Sequence, residues 1–241
     1  MSIATEAKAL SGPPEEEPDW EKVRPRTLVA QAVDAIVAAS ARGVILPGDR
    51  IVEADIARGL GISRVPVREA LRLLESQGLV ISEPYKGMRL VPLTGNRLAK
   101  VIEVRVALET AAARRAVALG RNSGKAVRAL GRVVDELELM AIRRDVSGLA
   151  HADASFHREL CRLSGNEVLC AIWEPVALQM TITVGLSALE KPMQGIVEEH
   201  RVLLAAFTSG EAERLDRAIE EHIRVQTGAV DFERIIAERR D

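Results

Sequence analysis

The chain has 241 residues, of which 47% are apolar, 28% are charged and only 2% are aromatic. This length favours two domains over one, and the scarcity of aromatic side chains favours closely packed helices with cores of Ala, Val, Leu and Ile. The net charge of −2 excludes a uniformly basic nucleic-acid-binding chain, although residues 23–94 carry ten Lys and Arg against seven Asp and Glu, a local balance of +3.

The cysteine pattern and the apolar pattern both indicate an intracellular protein. Cys161 and Cys170 lie nine residues apart, without a Cys-x-x-Cys pair or the framework of a secreted protein, so we expect reduced core thiols. We expect no apolar run to reach the length of a membrane span, and the acidic, Pro-rich first residues are unlike a signal peptide. These features predict a cytoplasmic protein with no membrane partner.

The first segments of the chain differ in their periodicity. Residues 1–22 combine Gly, Pro and a run of Glu with little periodicity, which predicts a disordered tail. A helical pattern then runs from about Thr27 to Ala41. Pro and Gly within residues 46–50 predict a turn after this helix.

Two short helical patterns, at 52–61 and 63–78, follow with almost no residues between them. Ser63 is placed to cap the second one. A tight pair of helices of this size is typical of a helix-turn-helix, and two β-rich runs in 79–93 predict a hairpin, or wing, behind it. Residues 23–94 are therefore expected to form a winged helix-turn-helix DNA-binding domain.

The second helix of this pair carries a basic stripe of Arg64, Arg68 and Arg72 at fourfold spacing. An ordinary solvated helix face is the alternative interpretation, and for a lone helix it would be equally good. In the second helix of a helix-turn-helix, arginines near the N-terminus meet base edges and phosphates. Lys86 and Gly87 fall in the predicted hairpin turn, at the tip of the wing.

From Asn96 onward the pattern is helical, and its breaks separate six helices. This predicts an antiparallel all-α bundle over residues 95–241, so the expected fold class is mainly α. The breaks fall at Gly120–Gly124, Asp145–Gly148, Ser164–Asn166, Glu190–Pro192 and Ser209–Gly210.

Three of the four histidines and one carboxylate form a candidate metal site in this bundle. Asp153 and His157 are four residues apart, so they project from one helix face. His200 and His222 lie on either side of the turn between the fifth and sixth helices, and antiparallel packing would place them face to face. Independent polar residues are the better interpretation for each histidine singly, but the set favours a metal. One carboxylate and three imidazoles suit zinc, or else nickel, manganese or iron.

Arg105 falls within the inward apolar stripe of the first bundle helix, where a buried arginine needs an anion. Glu109, one turn further on, is one candidate partner. The other is the carboxylate of a small organic acid, held between the metal and the guanidinium. The residues alone leave these alternatives equal.

The stretch "LPGDRIVEADIARGLGISRVPVREALRLLESQGLV", continued by "EPYKGMRLV", closely resembles the winged helix-turn-helix of the GntR family of bacterial transcription regulators. The resemblance implies that Arg64 and Arg68 contact an operator, with Ser63 and the wing residue Gly87 beside the DNA backbone. Departures from the family pattern, which bear on the operator sequence, occur at Ala54 and Val65.

The helical region is similar to the FCD ligand-binding domain of the FadR subfamily in its "D-x-x-x-H", its "EEH" and its final histidine. The resemblance implies that Asp153, His157, His200 and His222 bind one divalent metal ion per chain. The expected function is that of a repressor, not an enzyme. It would bind a palindromic double-stranded DNA operator as a homodimer and leave it when a small organic acid binds.

Two other classes of function stay open at this point. A hydrolase-type metal enzyme would use the same ligands, but it lacks an evident general base and leaves the basic helix unexplained. A DNA-binding protein with a purely structural metal would unfold on metal loss instead of losing a ligand response. In the regulator, we expect a shift of the Arg105 helix, which follows the linker to the winged domain, to transmit effector binding.

Overall fold

The computed structural model describes residues 27–85, 87–228 and 230–240. The predicted tail at 1–22 and the wing residue Lys86 lie outside these ranges. Within them, a winged helix-turn-helix is followed by a bundle of helices, so the predicted fold class is confirmed.

The described N-terminal part has three helices and a small antiparallel sheet of strand order β1-β3-β2. The predicted turn within 46–50 is present at Pro47 and Gly48. Strand β1 follows it and pairs with β3 through Arg50 and Arg89. The elements are α1 (Leu28–Ala41), β1 (Arg50–Ile51), α2 (Glu53–Leu60), α3 (Arg64–Ser76), β2 (Val80–Glu83) and β3 (Gly87–Leu90).

Local chemistry explains where these helices begin and end. The Thr27 side chain accepts a hydrogen bond from the Ala30 amide and so caps α1. Gly61 ends α2 with a φ of +65°, a conformation that glycine adopts without steric cost, and this makes the tight turn into α3 possible. Ser63 occupies the N-cap position of α3 as predicted, but its side chain makes no capping hydrogen bond.

Six helices were predicted in the bundle, and the first five of them are present as long helices. The sixth predicted helix is α9 continued by a π-helical turn at Glu221–Val225, and a short helix that the sequence pattern did not predict, α11, follows it. The elements are α4 (Gly95–Ala118), α5 (Gly124–Arg143), α6 (Val146–Leu163), α7 (Glu167–Ser187), α8 (Met193–Ser209), α9 (Ala212–Glu220), α10 (Gln226–Gly228) and α11 (Phe232–Glu238).

Helix α7 is a core helix of the bundle. It is long and apolar enough to cross a membrane by length and composition, which corrects the expectation that no segment reaches that length. One side of this helix is packed inside the protein, where Trp173, Ala177 and Met180 are almost inaccessible to water, while Val168 and Ile172 are exposed. The side chain of Asn166 caps this helix by accepting from the Leu169 amide at 3.1 Å.

Helix α1 joins the two parts of the molecule, because it packs against α3 on one side and against α6 and α7 on the other. Its last residue, Ala41, touches α7 at Gly185. A Cβ atom at Gly185 would lie 2.5 Å from both the Ala41 Cβ and the Ala41 carbonyl oxygen. The absence of a side chain at this position therefore sets how closely the winged domain approaches the bundle.

Two arginines add polar contacts between the same two parts. Arg97, at the start of α4, donates to the Gly78 carbonyl oxygen at 2.9 Å. Arg240, just after α11, donates to the Pro47 carbonyl oxygen at 2.7 Å and to Asp49 Oδ1 at 3.1 Å. The end of the described chain is thus attached to the loop that precedes β1.

Replacing Gly185 with alanine is expected to destabilise the protein by about 1–3 kcal/mol, because the new methyl group overlaps the α1 backbone. Urea unfolding of the wild-type protein and the variant measures the difference in their free energies of unfolding. Gly195→Ala is the matched control, since this helical glycine has open space around it and the substitution is expected to be neutral or stabilising. Equal stability of the two variants would contradict the proposed close contact.

Candidate metal centre and nucleic-acid interface

Four buried polar side chains meet inside the bundle. Asp153 and His157 come from α6, His200 comes from α8, and His222 comes from the π-helical turn. One nitrogen or oxygen atom from each lies within 4.8 Å of the others. The structure therefore brings together the four residues of the predicted metal site, and we call them the Asp/His cluster.

Close contacts between polar atoms mark this cluster. His157 Nε2 and His222 Nε2 are 3.0 Å apart, and His200 Nε2 is 3.2 Å from Asp153 Oδ1. Two imidazole nitrogens at this distance repel one another unless a proton or a cation lies between their lone pairs. Phe156 packs edge-on against His157 and His200, with ring centroids 5.4 and 5.0 Å away, and closes one side of the site.

The outer nitrogens of two of these histidines have fixed partners. His200 Nδ1 lies 2.8 Å from the Ile196 carbonyl oxygen, and His157 Nδ1 lies 2.6 Å from Glu109 Oε2. Since a carbonyl or carboxylate oxygen accepts, each Nδ1 donates, and in the neutral ring the lone pair is on Nε2. Both Nε2 atoms face the cluster, which is the orientation that metal-binding histidines take when an outer group holds them.

The protonation states in the cluster suit a metal. Burial lowers the pKa of His157 and, with neighbouring positive charges, holds that of His222 well below its usual value. Burial alone would raise the pKa of Asp153, but the adjacent imidazoles and Arg105 together outweigh it and lower the pKa to about 2. Neutral imidazole and ionised carboxylate are the forms that bind metal ions.

Three buried atoms of the cluster have no hydrogen-bond partner among the described residues, and they are Asp153 Oδ2, His200 Nε2 and His222 Nδ1. An unpaired buried polar atom costs about 1–3 kcal/mol. A divalent cation would satisfy oxygen and nitrogen acceptors together. The donor set of one carboxylate and three imidazoles therefore fits a metal such as zinc.

Arg105 is buried beside the cluster, and its partner is Glu109, the first of the two predicted alternatives. Arg105 Nε donates to Glu109 Oε1 at 2.6 Å. The same oxygen also accepts from Trp173 Nε1 at 3.2 Å, while Oε2 faces His157. Burial alone would raise the pKa of Glu109, but Arg105 and His157 outweigh it and lower the pKa to about 2.

A small cleft of about 30 Å³ opens beside the cluster. Arg105, Asp153 and His222 are among its lining residues, and the Nη2 atom of Arg105 has no hydrogen-bond partner among the described residues. The cleft thus combines a buried cationic group with two residues of the cluster. Its other walls include Thr183, Ser187, Lys191, Thr227 and Phe232.

The basic stripe of α3 lies on the surface of the winged domain. Arg64, Arg68 and Arg72 are exposed, and so are Ser63 before the helix and Gly87 in the wing. The opposite side of α3 is buried in the domain core. The structure therefore leaves the predicted DNA-contacting residues that it describes accessible to a partner.

Two carboxylates at these sites were not assigned their full roles from the sequence. Glu109 was expected only as a partner of Arg105, because its contact with His157 joins residues 48 positions apart. Glu53 makes a bidentate ion pair with Arg68 across 15 positions, and its place at the first turn of α2 is the only local signal. Long-range contacts of this kind have no periodicity in a single sequence.

Comparison with known families gives two matches along the chain. The family of bacterial regulatory proteins described as the gntR family matches residues 28–90. The FCD domain matches residues 100–225. The first range contains the helix-turn-helix and the wing, and the second contains the whole Asp/His cluster.

Individual relatives and structures agree with these matches. A probable D-xylose utilization operon transcriptional repressor of Paenarthrobacter nicotinovorans is 29% identical over 197 residues, covering 82% of this chain and 86% of the relative. An uncharacterized HTH-type regulator of Streptomyces ambofaciens is 31% identical, covering 80% of each. In fold, the chain is similar to E. coli McbR/YncC, with a TM-score of 0.70 at 20% identity over 90% of this chain and 100% of that one. A putative GntR regulator from Rhodococcus sp. RHA1 gives a TM-score of 0.66 at 20% identity, covering 84% of this chain and 99% of that one.

Replacing Glu109 with glutamine is expected to destabilise the protein by about 3–5 kcal/mol, because it leaves the buried Arg105 guanidinium without its anion. Chemical unfolding followed by circular dichroism measures the loss. Glu103→Gln is the matched control, since it removes the same charge from an exposed position of α4. If both variants unfold at the wild-type denaturant concentration, Glu109 does not hold the network together.

Proposed function

Because this chain belongs to the GntR family of bacterial regulatory proteins and carries an FCD domain, we propose that it is a repressor released from DNA by a small carboxylate. The family makes it a transcription regulator, which sets aside the enzyme alternative. The observation that carries the proposal is the presence, in one chain, of an exposed arginine stripe on α3 and a buried Asp/His cluster beside a cleft. We place the protein in the cytoplasm.

We assign DNA binding to residues 23–94. Arg64 and Arg68 would contact bases or phosphates of a double-stranded operator, while Ser63 and Gly87 would lie beside its backbone. Lys86 keeps its proposed place at the wing tip. A single recognition helix reads only a half-site, so we propose a homodimer on a palindromic operator.

We assign metal and effector binding to residues 95–241. Asp153, His157, His200 and His222 would hold one divalent ion per chain, with zinc as the first choice and nickel, manganese or iron as alternatives. When bound, such an ion supplies a Lewis-acidic position that a carboxylate can occupy. The unpartnered atoms Asp153 Oδ2 and His200 Nε2 and the lowered pKa values of His157 and His222 support this assignment.

The effector is proposed to be a small organic acid whose carboxylate pairs with Arg105. Glu109 already binds the Nε side of this guanidinium, but Nη2 has no partner among the described residues. A buried N–H donor without an acceptor is an unfavourable state that an anionic ligand would relieve. The position of Arg105 in the wall of the cleft supports this role.

Two paths connect the cleft to the winged domain, one along the chain through α4 and one through hydrogen bonds made by Arg240. Helix α4 carries Arg105 and follows directly from β3 and its linker. Helix α11 lines the cleft with Phe232 and ends next to Arg240, which holds the Pro47 carbonyl and Asp49 of the winged domain. A ligand that fits only one arrangement of these helices would change the spacing of the recognition helices in a dimer.

Arg64→Ala and Arg68→Ala are each expected to weaken operator binding roughly tenfold or more, because each removes a base or phosphate contact. The measurement is a gel shift on a duplex that the wild-type protein selects from a random-sequence pool. Arg144→Ala, an exposed arginine between α5 and α6, is the control and should bind as wild type does. Unchanged affinity of both α3 variants would refute this use of the helix.

A panel of small mono- and dicarboxylates should contain a compound that binds wild-type protein in calorimetry and releases the selected duplex. Arg105→Ala and metal-stripped protein should lose binding of this compound, because each removes one of the two groups proposed to hold the carboxylate. Arg240→Ala should still bind it but release DNA less completely, since one path between the domains is cut. Equal binding and release in all four samples would contradict the mechanism.

A further inference from the structure

A carboxylate of the preceding helix holds Arg68, the arginine proposed to contact the operator from α3. The Arg68 Nε atom donates to Glu53 Oε1 at 3.1 Å and to Oε2 at 3.2 Å, and Nη2 donates to Oε2 at 3.0 Å. The pair is at the surface, with 50% of the Arg68 side chain and 29% of the Glu53 side chain exposed. The contact therefore lies where DNA would approach α3.

Glu53 is well placed to stay charged and fixed. It is the first residue of α2, where the positive end of the helix dipole stabilises a carboxylate. The hydrogen bonds from Arg68, opposed by a smaller effect of burial, lower the pKa of Glu53. Its carboxylate is accordingly ionised at neutral pH and presents two acceptor oxygens to the arginine.

The ion pair uses only one edge of the guanidinium. Arginine has five N–H donors in a planar fork, and Glu53 takes the donor on Nε and one on Nη2. Both Nη1 donors and the second Nη2 donor are on the outer end of the fork. That end matches the O6 and N7 acceptors of guanine in the major groove.

We propose that Glu53 is a positioning residue for operator recognition, which holds Arg68 with its outer donor edge towards a guanine and prevents it from binding phosphates indiscriminately. The inference rests on the proposed operator contact of Arg68. Fixing a long side chain before binding removes part of the entropy cost of the specific complex. The negative charge of Glu53 at the same time weakens sequence-independent attraction to the phosphate backbone.

The test compares wild type, Glu53→Gln, Arg68→Ala and the double variant on two duplexes. One is selected by the wild-type protein from a random pool, and the other is a scrambled duplex of equal length and composition. Glu53→Gln is expected to lower the ratio of selected to scrambled affinity roughly tenfold. It should also steepen the salt dependence on the scrambled duplex by about one phosphate contact. In the Arg68→Ala background the same substitution should not change the ratio further.

Glu69→Gln is the matched control, because Glu69 is an exposed carboxylate of α3 that pairs with Arg72 at 3.2 Å. It removes the same charge and leaves the hydrogen bonds between Arg68 and Glu53 in place, and it is expected to leave the affinity ratio near the wild-type value. An unchanged ratio in Glu53→Gln overturns the inference, as does an equal drop in Glu69→Gln or in the Arg68→Ala background. If Arg68→Ala itself binds the selected duplex as wild type does, the operator role of Arg68 fails and the inference fails with it.

Discussion

One buried carboxylate organises the centre of the helical domain. Glu109 accepts hydrogen bonds from Arg105 and Trp173 on one oxygen and faces His157 on the other, so three elements of the bundle meet at a single side chain. A buried guanidinium needs an anion, and a histidine that binds metal needs an outer acceptor to fix its tautomer. Glu109 meets both requirements. Glu109 therefore holds both His157 of the Asp/His cluster and Arg105 in the wall of the cleft. A displacement of either residue would act on the other through this carboxylate.

The same geometry explains how a small ligand can affect DNA binding at a distance. The cleft lies between α4, α7 and the end of the chain, and each of these elements also contacts the winged domain: α7 through Gly185, α4 through Arg97, and the residues after α11 through Arg240. A ligand changes an equilibrium only by its differential affinity for two arrangements. The contacts with the winged domain come from other residues on or next to the helices that line the cleft, so a ligand that displaces α4, α7 or α11 would also act on those contacts.

Much of this architecture is predictable from the sequence, because helices, turns and the paired spacing of Asp153 and His157 leave local patterns. The antiparallel packing of the helices on either side of Ser209–Gly210 also places His200 and His222 together as expected. The elements that the sequence did not predict are those without such a local pattern. Strand β1 has two residues, and α11 is a single short helix. The π-helical turn around His222 differs from an α-helix only in hydrogen bonds that span one residue more. The Glu109–His157 and Glu53–Arg68 contacts depend on the tertiary fold.

The most direct measurement is the metal content of the chain purified without chelators. We expect about one divalent ion per chain in the wild-type protein and in His151→Ala, whose histidine is exposed on α6 and hydrogen-bonded to the Ser147 carbonyl oxygen. His200→Ala should lose the ion while the winged domain remains folded, since three ligands compete poorly with water for it. A wild-type protein that contains no metal and takes up no added zinc, or a His200→Ala variant that keeps a full equivalent, would contradict the metal centre.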